Sequence, residues 1–148
     1  MSDWKAKLNK AFKDLEKAET QKEVAIKEAE SQAVAFTSKV ILPAFEEIKM
    51  YLEESGREVV ITDRGTGANI TIQYQKHFEL NSTIRADGGI VYAEHTHSEN
   101  GRRYKAEGFL RNGSSDTIDK FSKSDIIDYV VDRYVARLMN ENMKRGDY

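Results

Sequence analysis

The chain has 148 residues, enough for one domain that buries a hydrophobic core without help from disulfides or metals. It contains no cysteine, which excludes cysteine-ligated zinc, iron–sulfur clusters and thiol catalysis. Its 23 basic and 25 acidic side chains give a net charge of −2. No region carries the basic excess that nucleic-acid binding usually requires, so that class of partner is disfavoured.

A long N-terminal helix is the first predicted element. Residues 5–55 contain no glycine and only one proline, and Ala, Lys and Glu dominate residues 5–30. Within this segment one set of positions recurs at alternating steps of four and three, which average to the coiled-coil period. The set comprises Leu8, Phe12, Leu15, Glu19, Lys22, Ile26, Ala29, Ala33, Phe36 and Val40. Its middle is charged, so the seam is strongest near the amino end.

Two interpretations of this helix remain open. In one, its second half covers the chain's own sheet while its first half is solvated. In the other, residues 1–30 form an arm that pairs with another subunit, most simply in a homodimer, outside an α+β domain at 31–143 and a frayed tail at 144–148. We favour pairing, because burying each large apolar side chain contributes about 1.5–3 kcal/mol. The expected oligomerisation residues are Trp4, Leu8, Phe12, Leu15 and Ile26.

Pro43 should kink the helix, since it lacks an N–H and its ring clashes with the preceding turn. Gly56 stands where a left-handed C-terminal cap belongs. Between them a broad apolar face is expected to be covered by the sheet. That face comprises Ala44, Phe45, Ile48, Met50, Tyr51 and Leu52.

From Arg57 the apolar period changes from 3.6 to 2, which indicates strands. Glycine-containing turns divide residues 57–111 into a meander of four or five antiparallel strands. Residues 75–77 are compatible with either a tight reversal or a bend. Apolar and polar residues alternate, so one face of the sheet should be open to solvent.

The last helix begins after Ser122, a predicted N-cap with Asp125 three residues later, and Phe121 can contact Ile126 across the cap. Its predicted buried stripe comprises Ile127, Val130, Val131, Tyr134, Val135 and Leu138, extended by Met139 and Met143. The fold class is therefore α+β, with a kinked N-terminal helix, the meander and a C-terminal helix. Both helices should lie on one face of the sheet.

His95 and His97 share one face of a predicted strand, with side chains about 6.5–7 Å apart. Such a pair needs a third ligand to hold a metal, and His77 is the only other histidine. The simpler interpretation, which we favour, is two solvated histidines on the open face. Nearby, Arg102, Arg103 and Lys105 are suited to a phosphate or an acidic partner, or are ordinary solvent-facing charges.

No catalytic motif is present. The segment DRGTGAN at 63–69 lacks the spacing of a phosphate-binding loop and is interpreted as a hairpin turn, and RGD at 145–147 as a chance match. We therefore expect a non-enzymatic, cofactor-free and cytoplasmic binding or assembly module that self-associates through its N-terminal helix. A ligand- or metal-binding domain, possibly an enzyme, using the polar sheet face is the alternative. Regulatory nucleic-acid binding through residues 102–111 is a third hypothesis.

Overall fold

The computed structural model describes residues 3–99, 102–109 and 117–144. The expected α+β architecture is confirmed: a long N-terminal helical segment, a five-stranded antiparallel sheet and a C-terminal helix. The elements are α1 (Asp3–Phe36), a π-helical turn (Thr37–Ile41), α2 (Leu42–Glu54), β1 (Glu58–Asp63), β2 (Gly67–Tyr74), β3 (His77–Asp87), β4 (Ile90–Glu99), β5 (Arg102–Phe109), a short 3-10 turn (Ile118–Lys120) and α3 (Lys123–Lys144). The predicted turns at residues 98–101 and 112–116 lie wholly or partly outside the described residues, as does the tail with its RGD sequence.

The interruption expected near Pro43 is a π-helical turn placed just before it. The N–H of Leu42 donates to the carbonyl of Thr37, five residues earlier. The hydroxyl of Thr37 in turn donates to the carbonyl of Ala33 at 2.8 Å. Because the proline nitrogen cannot continue the regular ladder, the wider turn keeps α1 and α2 continuous without an α-helical bond at that position.

Helix α2 ends at the predicted glycine. Gly56 has a φ of +85°, the left-handed conformation that costs glycine little. The N–H of Arg57 donates to the carbonyl of Leu52 at 3.0 Å and the N–H of Gly56 to that of Glu53 at 3.1 Å. These two bonds form a Schellman motif, which turns the chain directly into β1.

The five strands pair in chain order, each antiparallel to the one before. Residues 75–76 form a tight reversal, so the first of the two alternatives left open by the sequence is the observed one. Both Gln75 and Lys76 have positive φ, at +50° and +66°. The 87–90 hairpin turns through Gly88 and Gly89, also at positive φ, as its sequence predicts.

A β-bulge lies near the start of β3. Ile72 pairs with Leu80 and Gln73 pairs with Phe78, so Glu79 is the extra residue. A bulge breaks the strict alternation of faces. As a result Glu79 is 4% exposed and contacts side chains of α3, although its neighbour Leu80 also belongs to the core.

One face of the sheet and the three helices enclose the core. Its fully buried members include Phe45, Ile70, Ile72, Leu80, Ile84 and Ile126. On the opposite face four polar side chains satisfy one another across β2 and β3: the amide of Asn69 donates to Asn81 at 2.9 Å and to Thr83 at 2.7 Å. The amide of Asn81 donates to Thr71 at 2.8 Å.

Helix α3 begins as predicted. The N–H of Ser122 donates to the carboxylate of Asp125 at 2.8 Å, and the N–H of Asp125 points back to the Ser122 hydroxyl at 3.4 Å. Phe121 and Ile126 are both buried. In the part of the chain that the structure describes, no helix is both long and apolar enough to cross a bilayer.

Candidate functional site

The first 26 described residues of α1, which we call the arm (3–28), are exposed throughout. The same helix reaches its own domain only further on, where Ala33 and Phe36 are buried against the sheet. At 1.5 Å per residue the arm is about 39 Å long. The helix therefore extends well beyond the domain that supports its carboxyl end.

An apolar stripe runs along this arm. Trp4, Phe12 and Leu15 are each about 60% exposed, and Leu8 and Ile26 are also exposed. Residues 4, 8, 12 and 15 follow steps of four and three, so they share one side of the helix. The structure thus leaves all five predicted oligomerisation residues exposed, although Ile26 also borders a surface pocket shared with residues 85–88.

A groove between α2 and α3 is the second feature, which we call the α2–α3 groove. It has a volume of about 450 Å³, and its walls are apolar side chains of both helices. The helices run in the same direction, since Lys123 contacts Glu47 at one end and Arg57 contacts Tyr134 at the other. The principal apolar walls are Ile48, Tyr51, Leu52, Ile127, Val131 and Leu138.

Four residues that the sequence prediction places in the buried stripes are exposed instead: Met50, Tyr51, Val135 and Met139, of which Tyr51 and Val135 line this groove. The structure leaves Tyr51 71%, Met50 67% and Met139 57% exposed, and Val135 about half exposed. The fold therefore covers only part of each predicted apolar stripe. The width of both stripes is the one sequence signal that could have indicated an uncovered apolar surface.

A buried polar cluster lies at the far end of the groove. The Tyr134 hydroxyl donates to Glu79 Oε1 at 2.6 Å and accepts from Arg57 Nε at 3.0 Å. Arg137 Nη1 pairs with Glu79 Oε2 at 2.8 Å. Burial, followed by the hydrogen bond to the Glu79 carboxylate, raises the pKa of Tyr134 to about 12. Because these groups satisfy one another, the cluster is suited to joining β3 to α3.

The histidines lie on the face opposite to the expected one. His95 pairs across the sheet with the buried Ser82, and its Nδ1 is 3.4 Å from the hydroxyl of Tyr129 in α3. His95 and His97 do share a face, with their rings stacked 5.8 Å apart. That face is the helix-covered one, because the parity that buries Val91 and Ala93 continues to both histidines.

Burial lowers the pKa of His95, and the nearby charges of Arg133 and His97 lower it further. The Arg133 guanidinium lies over the Tyr129 ring, 4.0 Å from its centre. His95 is therefore a half-buried side chain against α3 with a pKa below its ordinary value, whereas the sequence predicts a solvated histidine.

The structure describes the side chains of two of the remaining predicted ligand residues, and these two lie apart. His77 is exposed at the β2–β3 turn, and Lys105 lies opposite Thr96 on the open face, where it pairs with Glu94 at 3.8 Å. Arg102 and Arg103 belong to β5 by backbone pairing, but their side chains lie outside the described part of the structure. Among the residues described, no three acidic or histidine side chains are grouped so that they could hold a metal ion.

Comparisons with known proteins find no matching family model, no similar curated protein and no similar solved structure. The arm and the α2–α3 groove both expose large apolar side chains. Exposed apolar stripes and grooves of this kind are the surfaces through which amphipathic helices are recognised.

Proposed function

We propose that this protein is an assembly module that self-associates through the arm. The observation that carries the proposal is the exposure of every residue from 3 to 28 together with the apolar stripe along them. A solvated helix gains nothing from four large apolar side chains on one side. Covering each of them contributes about 1.5–3 kcal/mol, a gross gain that is set against the entropic cost of association.

The helix itself also supports the proposal. An isolated helical segment is only marginally stable in water, since most helical stability in proteins comes from packing of an apolar face. Apart from a pocket that Ile26 borders, the described residues give the arm no such packing. Association would therefore stabilise the helical state of the arm as well as bury its stripe.

Sedimentation velocity over a range of concentrations tests this function. We expect the full chain to exceed its monomer mass of 16.9 kDa, and replacement of Leu8, Phe12 and Leu15 by Gln to return it to that mass. The matched control carries three changes on the other side of the same helix that keep its charge: Ala6→Gln, Lys10→Arg and Lys13→Arg. It should associate like the wild type.

Amide hydrogen exchange gives an independent measurement. Residues 4–20 should gain protection as the concentration rises through the association range. A chain that is monomeric at all accessible concentrations, with an arm that exchanges freely, would contradict the proposal.

A further inference from the structure

We infer that the arm of one copy binds in the α2–α3 groove of a second copy. This inference rests on the proposed self-association and adds to it the surface that receives the arm. The arm and the groove then form one interface, in which an amphipathic helix lies in an apolar channel between two others.

The two surfaces have matching lengths. The stripe from Trp4 to Leu15 spans eleven residue steps, or about 16 Å of helix. The wall that α3 gives to the groove, from Ile127 to Leu138, spans the same number of steps. Four anchors at helical spacing therefore extend along the whole channel.

The groove cannot be filled by the arm of its own chain. Leu8 and Ile48 are separated by forty residues of nearly continuous helix, which is about 60 Å. The π-helical turn between them keeps the helix continuous and does not reverse it. The arm that enters the groove must then come from another molecule.

Charge favours this occupant. Residues 3–17 of the arm carry five lysines against three carboxylates, although the whole chain is acidic. Helix α2 carries four exposed carboxylates against one lysine, and Glu47 among these carboxylates lines the groove. Lys123, at the start of the groove, is already paired with Glu47. A basic amphipathic helix thus meets an acidic helix at one wall of the groove, whereas two arms paired in parallel would bring their lysines together.

Reciprocal binding also gives a closed assembly. When each copy places its arm in the groove of the other, both arms and both grooves are covered by one two-fold operation. A one-way exchange would leave an arm and a groove free at the ends and would propagate. The inference therefore specifies a two-fold dimer as the smallest complete unit.

Cross-linking of the full chain tests the pairing directly, because the protein has no cysteine of its own. One variant carries Ala11→Cys, which flanks the stripe and leaves its four anchors intact, and the other carries Val131→Cys in the groove. After mixing and treatment with a short bismaleimide, a covalent dimer should form between the two variants. Neither variant alone should cross-link. The control is Val60→Cys, an exposed position on the open face of the sheet, which should give no product with Ala11→Cys.

The outcomes separate this inference from the function on which it rests. Cross-linking of Ala11→Cys to itself, or a dimer in sedimentation with no link between positions 11 and 131, would overturn the arm–groove pairing and leave self-association standing. A monomer under all conditions would overturn both.

A groove variant provides a second measurement. Val135→Lys should raise the dimer dissociation constant at least tenfold, because it places a lysine against the lysine-rich arm of the partner. Association of the wild type should also weaken with added salt. Since Val135 is half exposed, the thermal midpoint at concentrations where the protein is monomeric should stay unchanged. Undiminished association of this variant would argue against the groove as the receiving surface.

Discussion

Glu79 and Arg137 form an ion pair inside the domain, with Nη1 and Oε2 2.8 Å apart and both side chains at most 10% exposed. The pair exists because the bulge in β3 turns Glu79 towards α3, against the alternation of the strand. Arg57 adds a second positive charge at 3.6 Å from the same carboxylate. The cluster thus holds α3 in position over β3.

Removing one partner of this pair should be costly, because it leaves the other charge buried without compensation. We expect Glu79→Leu and Arg137→Met each to lower the free energy of unfolding by about 3 kcal/mol. The double variant should lose less than the sum of the two. Urea unfolding of the three variants at one protein concentration measures the coupling.

The control for this cycle is an exposed ion pair in the same sheet. Arg85 and Asp87 are 3.7 Å apart with both side chains more than half exposed, so Arg85→Met should cost under about 1 kcal/mol. Additive effects at Glu79 and Arg137 would mean that the buried pair does not act as a unit.

Much of the fold could be predicted from local sequence signals. The change of period at Arg57, the glycine cap at Gly56 and the capping residues around Ser122 each rest on interactions within a few positions of the chain. These are the interactions that a single sequence displays. For the same reason the apolar stripe from Trp4 to Leu15 can be recognised from the spacing of its residues alone.

The candidate groove could not be predicted in the same way. Its existence depends on how far apart α2 and α3 lie over the sheet, which is a tertiary property. The prediction that His95 lies on the solvent-exposed face of the sheet is wrong. It rested on the polarity of the side chain, whereas the alternation of the strand places His95 on the same face as the buried Val91 and Ala93. The burial of Glu79 escapes prediction for a third reason: a bulge adds one residue, and alternation along the sequence then loses its phase.

Acid should weaken the fold through His95. Its pKa is lowered in the folded state by burial and then by Arg133 and His97, so the unfolded chain binds this proton more tightly. The stabilising contribution is therefore complete above the unfolded pKa of about 6.5 and is lost as the pH falls below it. We expect the urea midpoint to decrease between pH 7.5 and pH 5.5.

Substitution assigns that decrease to a residue. His95→Gln should flatten the pH dependence, whereas His77→Gln, at an exposed position, should leave it as in the wild type. An unchanged slope in His95→Gln would show that other groups cause the loss.

The β2–β3 turn should be open to stabilisation. Gln75 and Lys76 both adopt positive φ, which is unfavourable for residues with a Cβ, and both side chains are exposed. Asn-Gly is the preferred pair for such a two-residue turn. We expect Gln75→Asn with Lys76→Gly to raise the free energy of unfolding by about 1 kcal/mol, as measured by urea unfolding.

In the 87–90 hairpin we expect the opposite effect, because there a glycine already occupies a position with positive φ. Gly89 has a φ of +83°, and a Cβ at this position would meet nothing within 4 Å, so Gly89→Ala should destabilise through backbone strain alone. Equal effects of both changes, in the same direction, would contradict the assignment of strain to positive φ.

Gly67, at the start of β2, should tolerate no side chain for a different reason. A Cβ at this position would lie 2.6 Å from the carbonyl oxygen of Ile84 and 2.7 Å from the Cβ of Arg85, its cross-strand neighbour. These are atoms of β3 that can move only if the strand pair separates. We expect Gly67→Ala to cost about 1–3 kcal/mol, as overpacking in a well-ordered site does.

Gly108 in β5 is the matched control, since a Cβ there would meet nothing within 4 Å. Gly108→Ala should change the free energy of unfolding by less than about 0.5 kcal/mol. Both glycines lie in strands of the same sheet, so both variants share the general preference of strands for alanine over glycine. The difference between their free energies of unfolding therefore measures the close approach of β2 to β3. Equal changes in the free energy of unfolding at the two positions would contradict the close approach of Gly67 to Ile84 and Arg85.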